Sequence, residues 1–145
     1  MALVRIEQPR IATMNKAHKH YVAVVDDDAS VARAFARLLR SAGYEPITYP
    51  SAEAFLDDDR QPDFDCLVLD SQLDGISGLE LVRRLAAVNN ATPALLVTAR
   101  DDPDERAQAM AAGCAGYFHK ADPGSDIIAG IDAAIQARMA NPPYQ

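Results

Sequence analysis

Four aspartates, one threonine and one lysine stand at the ends of short apolar runs in this sequence. Val24-Val25 leads into Asp26-Asp27-Asp28, and Leu67-Val68-Leu69 into Asp70. Leu95-Leu96-Val97 ends in Thr98, and Tyr117-Phe118-His119 in Lys120. Carboxylates supply a nucleophile and hard oxygen ligands; a hydroxyl and an ammonium supply donors for anionic oxygens. Brought together, this set could receive a phosphoryl group. Asp70 would attack phosphorus, Thr98 and Lys120 would each hold a phosphoryl oxygen, and a cation would hold the third. Such chemistry is positioning plus charge neutralisation. Carboxylates as close as Asp26, Asp27 and Asp70 would then be repel strongly in a low dielectric, so they call for a cation or a shared proton. An oxygen-only set suits Mg2+, with Mn2+ as an alternative. Asp28, just before a helix, reads as its cap rather than as part of the pocket.

These residues need elements that deliver them to one edge. Short apolar runs read as buried parallel strands, and an open α/β sheet collects chemistry at the carboxyl ends of its strands. From Tyr21 the chain alternates strand and helix. Strands are expected over Tyr21–Val25, Glu45–Tyr49, Cys66–Leu69, Pro93–Val97 and Ala115–His119. Helices are expected over Ser30–Ala42, Ser51–Asp57, Ser77–Ala87 and Pro103–Ala112, with a last helix opened by Asp122-Pro123. Gly43 and Gly113 mark stops, Ser51 a cap, and Ser77 with Glu80 a capping box. Ile127, Ile128, Ile131 and Ile135 form the buried stripe of the last helix. Five strands alternating with five helices imply an α/β, doubly wound parallel sheet. Residues 1–20 are expected to be a flexible basic extension carrying Arg5, Arg10, Lys16 and Lys19, 21–140 the folded domain, and 141–145 a C-terminal tail. His18 and His20 are read as residues of that extension without a metal.

Composition narrows the function classes. The chain has 145 residues, 49% of them hydrophobic, and a formal net charge of -7. That charge repels nucleic acid, so direct nucleic-acid binding is not expected. No apolar stretch approaches the length needed to span a bilayer, and no secretory signal is visible. Cys66 and Cys114 are expected to be buried thiols in a cytoplasmic protein.

The set of motifs resembles the receiver domain of two-component response regulators. The resemblance covers about residues 21–140. It rests on Val25-Asp26-Asp27, on Asp70 followed by Gly75-Ile76-Ser77-Gly78-Leu79-Glu80-Leu81, on Thr98-Ala99 and on Gly116-Tyr117-Phe118-His119-Lys120. It implies a flavodoxin-like fold with strand order 2-1-3-4-5. It implies Asp70 as phosphoacceptor from a histidine kinase or histidine phosphotransfer protein, forming an aspartyl phosphate. Asp27, Asp70 and the Gln72 carbonyl would ligate Mg2+ directly, with Asp26 acting through water. Thr98 would be the switch hydroxyl and Tyr117 the switch aromatic, together reshaping a surface that meets a downstream protein. A monomer, or a weak dimer through the fourth helix, fifth strand and fifth helix, is implied. Gln72 and Arg100, two residues beyond Asp70 and Thr98, are expected to tune the phosphate lifetime.

Two positions depart from the family pattern. Ala121 stands where many receivers have proline after the lysine. A cis bond before alanine costs about 3–4 kcal/mol, against about 1 before proline, leaving this loop either trans and rearranged or cis and strained. Asp74 stands where proline is common. Other readings are the receiver of a larger transcriptional regulator, a degenerate receiver that binds partners without phosphorylation, and a haloacid-dehalogenase-like phosphohydrolase. The last lacks its second aspartate, since Gln72 holds that place.

Overall fold

A computed structural model describes residues 19–140. Residues 1–18 of the expected 1–20 extension, and the tail 141–145, lie outside the described residues. In chain order the elements are β1 (Tyr21–Val25), α1 (Ala29–Ser41), β2 (Glu45–Tyr49), α2 (Ala52–Asp57), β3 (Phe64–Asp70), α3 (Gly78–Ala87), β4 (Ala94–Thr98), α4 (Pro103–Ala111), β5 (Gly116–His119) and α5 (Gly124–Ala140). The strands form one sheet in the order β2-β1-β3-β4-β5, and all four pairings are parallel.

Parallel strands need crossovers, and the helices supply them on both faces. On one face Phe35 and Leu39 of α1 and Ile127, Ile128, Ile131 and Ile135 of α5 cover Val22, Val24, Val68 and Val97. On the other, Phe55 of α2, Leu79, Leu81 and Val82 of α3 and Ala109 of α4 cover Ala23, Leu67, Leu69 and Leu96. Covered twice, the three central strands read as unbroken apolar runs. Both cysteines are buried and unpaired. Burial pushes the Cys66 thiol up and the Cys114 thiol up to about 11, so neither is a ready thiolate.

The caps follow local chemistry. Asp28 Oδ1 accepts from the N–H groups of Ser30 (2.9 Å) and Val31 (3.3 Å), as expected of a cap. Ser51 Oγ accepts from Ala54 N–H at 3.0 Å, and Ser77 Oγ from Glu80 N–H at 3.0 Å. The Glu80 carboxylate pairs forward with Arg84, 3.3 Å away, so this box closes on one side only.

Three details correct the sequence reading. His20 is not a tail residue: it is buried, and its Nδ1 lies 3.0 Å from Asp65 Oδ2 at the entry of β3. Asp122 does not cap α5; its Oδ2 turns back to accept from His119 N–H (2.9 Å), and the Pro123 carbonyl receives the first bonds of the helix instead. The strand β3 begins at Phe64, before Cys66, because Phe64 has a buried place beside Tyr49 and Phe55.

Candidate phosphoryl-acceptor site

Register places the site residues. Val25 stands opposite Leu69, so Asp26 and Asp70, one step on, emerge side by side. Asp70 stands opposite Val97, one residue before Thr98. Thr98 stands opposite His119, one residue before Lys120. Backbone bonds extend the sheet past its last pairs: Asp26 N–H to Tyr49 O (3.0 Å), Ser71 N–H to Val97 O (2.9 Å) and Lys120 N–H to Thr98 O (2.7 Å). Four strand ends are thereby fixed to one another at one edge.

Ligand oxygens of Asp26, Asp27 and Asp70 all lie within 4.8 Å of one another, with Asp26 and Asp70 buried and Asp27 exposed. Lys120 Nζ bridges two of them, at 2.9 Å from Asp26 Oδ2 and 3.3 Å from Asp70 Oδ2. The remaining oxygens are held by backbone: Asp28 N–H donates to Asp26 Oδ1 (2.9 Å) and Gln72 N–H to Asp70 Oδ1 (3.1 Å). Burial raises the Asp26 carboxyl above its ordinary range, against the Lys120 and Asp28 bonds that lower it, and the neighbouring Asp70 adds to the rise. Burial alone would lower the Lys120 ammonium; the two carboxylates outweigh it and hold it above its ordinary value. One ammonium thus stands against three carboxylates. The donor set is all oxygen and leaves an uncompensated negative charge, which fits a hard divalent cation.

The turn after β5 has a trans Lys120–Ala121 bond, since the described residues contain no cis peptide. The turn folds over His119: Ala121 N–H donates to its Nδ1 (3.0 Å) and Asp122 N–H to its carbonyl (2.9 Å). Lys120 still reaches the acidic cluster, so alanine at 121 does not misdirect it. The loop after β3 is pinned from a distance. Glu53 of α2 accepts from Ile76 N–H at 3.0 Å, over Gly75 at φ 72°. A Cβ on Gly75 would come within 2.3 Å of the Glu53 carboxylate, and one on Gly78 within 2.3 Å of the Asp70 carbonyl oxygen. Gly78 is therefore required for close approach to backbone, and Gly75 for its positive φ. Sequence reasoning missed Glu53, because nothing local links a first-turn acid of α2 to a loop 23 residues away.

Thr98 is fully buried. Its hydroxyl donates to the Arg100 carbonyl (2.8 Å) and accepts from Arg100 N–H (3.1 Å). Arg100 meets Thr98 through its backbone, while its side chain is exposed. Gln72 is likewise exposed beside Asp70. Tyr117 is buried, and its hydroxyl donates to Glu105 Oε1 of α4 at 2.7 Å.

The family described as the response regulator receiver domain matches residues 22–132. The transcriptional regulatory protein FixJ of Bradyrhizobium diazoefficiens is 33% identical over 124 residues, covering 86% of this chain and 60% of that protein. FixJ of Azorhizobium caulinodans is 36% identical over 114 residues, covering 79% of this chain and 54% of that protein. Among solved structures, the response regulator StyR superposes with a TM-score of 0.77 at 36% identity, over 85% of this chain and 62% of that one. FixJ-N superposes with a TM-score of 0.75 at 29% identity, over 82% of this chain and 95% of that one. The chain thus spans little more than half the length of the curated relatives it matches.

Proposed function

The chain belongs to the response regulator receiver domain family, whose function is phosphoryl acceptance, and we propose that Asp70 is its acceptor. The donor is a phosphohistidine of a histidine kinase or histidine phosphotransfer protein. An Asp70 carboxylate oxygen bonds to phosphorus as the P–N bond breaks, leaving aspartyl phosphate and free histidine. Water later attacks phosphorus, returning the carboxylate and inorganic phosphate.

The observation that carries this reading is the Lys120 ammonium, 2.9 Å from Asp26 and 3.3 Å from Asp70 inside a triad of carboxylates. Lys120 neutralises charge on the phosphoryl group as it arrives at Asp70. Asp26, Asp27, Asp70 and the Gln72 carbonyl are the residues that hold Mg2+ or Mn2+. When bound, the ion screens the carboxylates and polarises a phosphoryl oxygen. Thr98 turns its hydroxyl from Arg100 to a second phosphoryl oxygen, and Gln72 and Arg100 border the phosphoryl group and set its lifetime. An apolar groove of about 450 Å³ beside Lys120, lined by Val31, Phe35, Leu38 and Ile127, gives a donor protein a surface to cover.

The output is a changed protein-binding surface around Tyr117, in a monomer or weak dimer. The family acts with histidine kinases and downstream effectors. No helix among the described residues is long and apolar enough to cross a membrane; action in the cytoplasm, typical of the family, is part of this reading. A second reading places this receiver within a larger transcriptional regulator, and the partial coverage of FixJ favours it.

The test is phosphorylation by a small acyl phosphate, read by intact mass with and without Mg2+. A metal-dependent gain of one phosphoryl group in the native protein, absent in Asp70→Ala, supports the reading. An equal gain in Asp70→Ala removes it.

A further inference from the structure

Asp26, Asp27 and Asp70 would offer a divalent ion side-chain oxygens, but the Gln72 carbonyl proposed beside them belongs to the backbone. The direction of that oxygen is set by the path of the loop between β3 and α3. The start of the loop is fixed by Ser71 N–H bonding to Val97 O (2.9 Å) and Gln72 N–H bonding to Asp70 Oδ1 (3.1 Å). Leu73 then sinks into the core under α2, α3 and α4. The end is fixed by Ser77, which caps α3, and by Gly78, which closes on the Asp70 carbonyl.

Between these anchors the loop has little of its own to hold it. Asp74 and Gly75 are exposed, residues 71–77 contain no proline, and Gly75 takes φ 72°. An exposed turn of this composition has many competing backbone states. Glu53 reaches it from another element. Its Oε2 accepts from Ile76 N–H at 3.0 Å, and its carboxylate fills the space over Gly75 where a Cβ would stand. Glu53 lies in the first turn of α2, which Ser51 caps and buried Ala52 and Phe55 hold to the sheet. The Ile76 bond keeps the Glu53 carboxyl below its ordinary range, so the acceptor is a carboxylate at neutral pH.

We propose that Glu53 is a positioning residue for the metal site: by fixing the loop at Ile76 it directs the Gln72 carbonyl toward the ion held by Asp26, Asp27 and Asp70. Leu73 sets the depth of the loop, but the peptide that carries the carbonyl turns about the bonds on either side of it. The onward path of the chain to Ile76 limits that turning. A ligand held by its outer partners keeps its aim, and loss of such a partner typically weakens metal binding about 10- to 100-fold. Glu53 acts through the loop rather than on the ligand itself, which places its effect at the low end. The proposal rests on the reading of the Gln72 carbonyl as a ligand.

The test measures Mg2+ affinity of the full chain by calorimetry, with no phosphoryl donor present, and exchange of the Ile76 amide by NMR. Native protein is compared with Glu53→Ala, Glu53→Asp and Glu53→Gln, each checked by thermal melting. Glu53→Asp keeps the charge but falls short of Ile76, whereas Glu53→Gln gives up the charge and keeps an oxygen within reach. Glu53→Ala and Glu53→Asp should weaken Mg2+ binding roughly tenfold and speed exchange of the Ile76 amide. Glu53→Gln should stay near the native affinity. At saturating Mg2+ all three should approach the native rate of phosphorylation by a small acyl phosphate, because no reacting group has been changed. Native affinity in Glu53→Ala and Glu53→Asp overturns the proposal. So does the opposite order, with Glu53→Asp near native and Glu53→Gln weak, since charge at a distance would then account for the effect. A native protein that binds no Mg2+ overturns the metal-site reading beneath it.

Discussion

Lys120 Nζ lies 3.3 Å from Oδ2 of Asp70, so the residue that would neutralise an incoming phosphoryl group is already paired with the carboxylate that would accept it. The same ammonium is 2.9 Å from Asp26, and a divalent cation held by the cluster would answer the same negative charge. Lys120→Met should therefore separate two effects. Phosphorylation by a small acyl phosphate should slow about 100-fold, the scale for losing one donor to a developing anion. Mg2+ affinity, read by calorimetry, should not fall, because a competing cation has been removed. Native-rate phosphorylation in the variant would count against the assigned role of Lys120.

Gln72 and Arg100 stand at the mouth of the site, joined to it by backbone: Gln72 N–H to Asp70 Oδ1 at 3.1 Å and Arg100 N–H to Thr98 Oγ1 at 3.1 Å. Both side chains are exposed, and we propose that they border the path of the hydrolytic water. Gln72→Ala and Arg100→Ala keep those backbone bonds. Each should change the decay rate of the aspartyl phosphate several-fold, followed by loss of phosphoryl mass after donor removal, with little change in thermal stability. Unchanged decay in both variants would remove the lifetime role.

Acid should destabilise the fold through carboxyls other than the acceptor. Bonds from Ser30 and Val31 lower the Asp28 carboxyl, the Ile76 N–H lowers Glu53, and the Tyr49 hydroxyl lowers Asp58. A group depressed on folding adds stability that is present above its unfolded pKa and lost as pH falls through its folded one. Thermal midpoints should thus hold above about pH 5 and decline below it. Asn also caps helices well, so Asp28→Asn should keep most of the neutral-pH stability and show a shallower acid decline. An identical decline in that variant would show that Asp28 does not contribute to it.

Ile131 of α5 offers a check on the packing of the α1/α5 face. Ile131 is completely buried between strands and helices. Ile131→Ala should cost about 2–5 kcal/mol in denaturant unfolding, from lost burial and the cavity left behind. A cost near zero would mean that this face is not the packed layer described.

The sheet was legible in the sequence because each central strand is an apolar run covered on both faces, and each run ends in a residue of distinct chemistry. Asp26, Asp70, Thr98 and Lys120 were legible for the same reason, since parallel register brings strand ends together. The contacts that cross between elements were not. Glu53 reaching Ile76, Glu105 reaching Tyr117 and His20 reaching Asp65 have no local spacing rule, because they depend on how helices and loops lie over the sheet. Asp122 reads as a cap by type, yet the tight turn over His119 gives its carboxylate a nearer donor behind it. The Lys120–Ala121 peptide was left open by sequence and is trans in the structure.

The central claim is that Asp70 itself becomes phosphorylated. The most direct measurement treats the acyl-phosphate-reacted protein with borohydride, which reduces an aspartyl phosphate to homoserine, and locates that residue by peptide mass spectrometry. Homoserine at position 70, dependent on Mg2+, is the predicted result. Homoserine at Asp26 or Asp27 instead, or none in a protein that has gained a phosphoryl group, would contradict it.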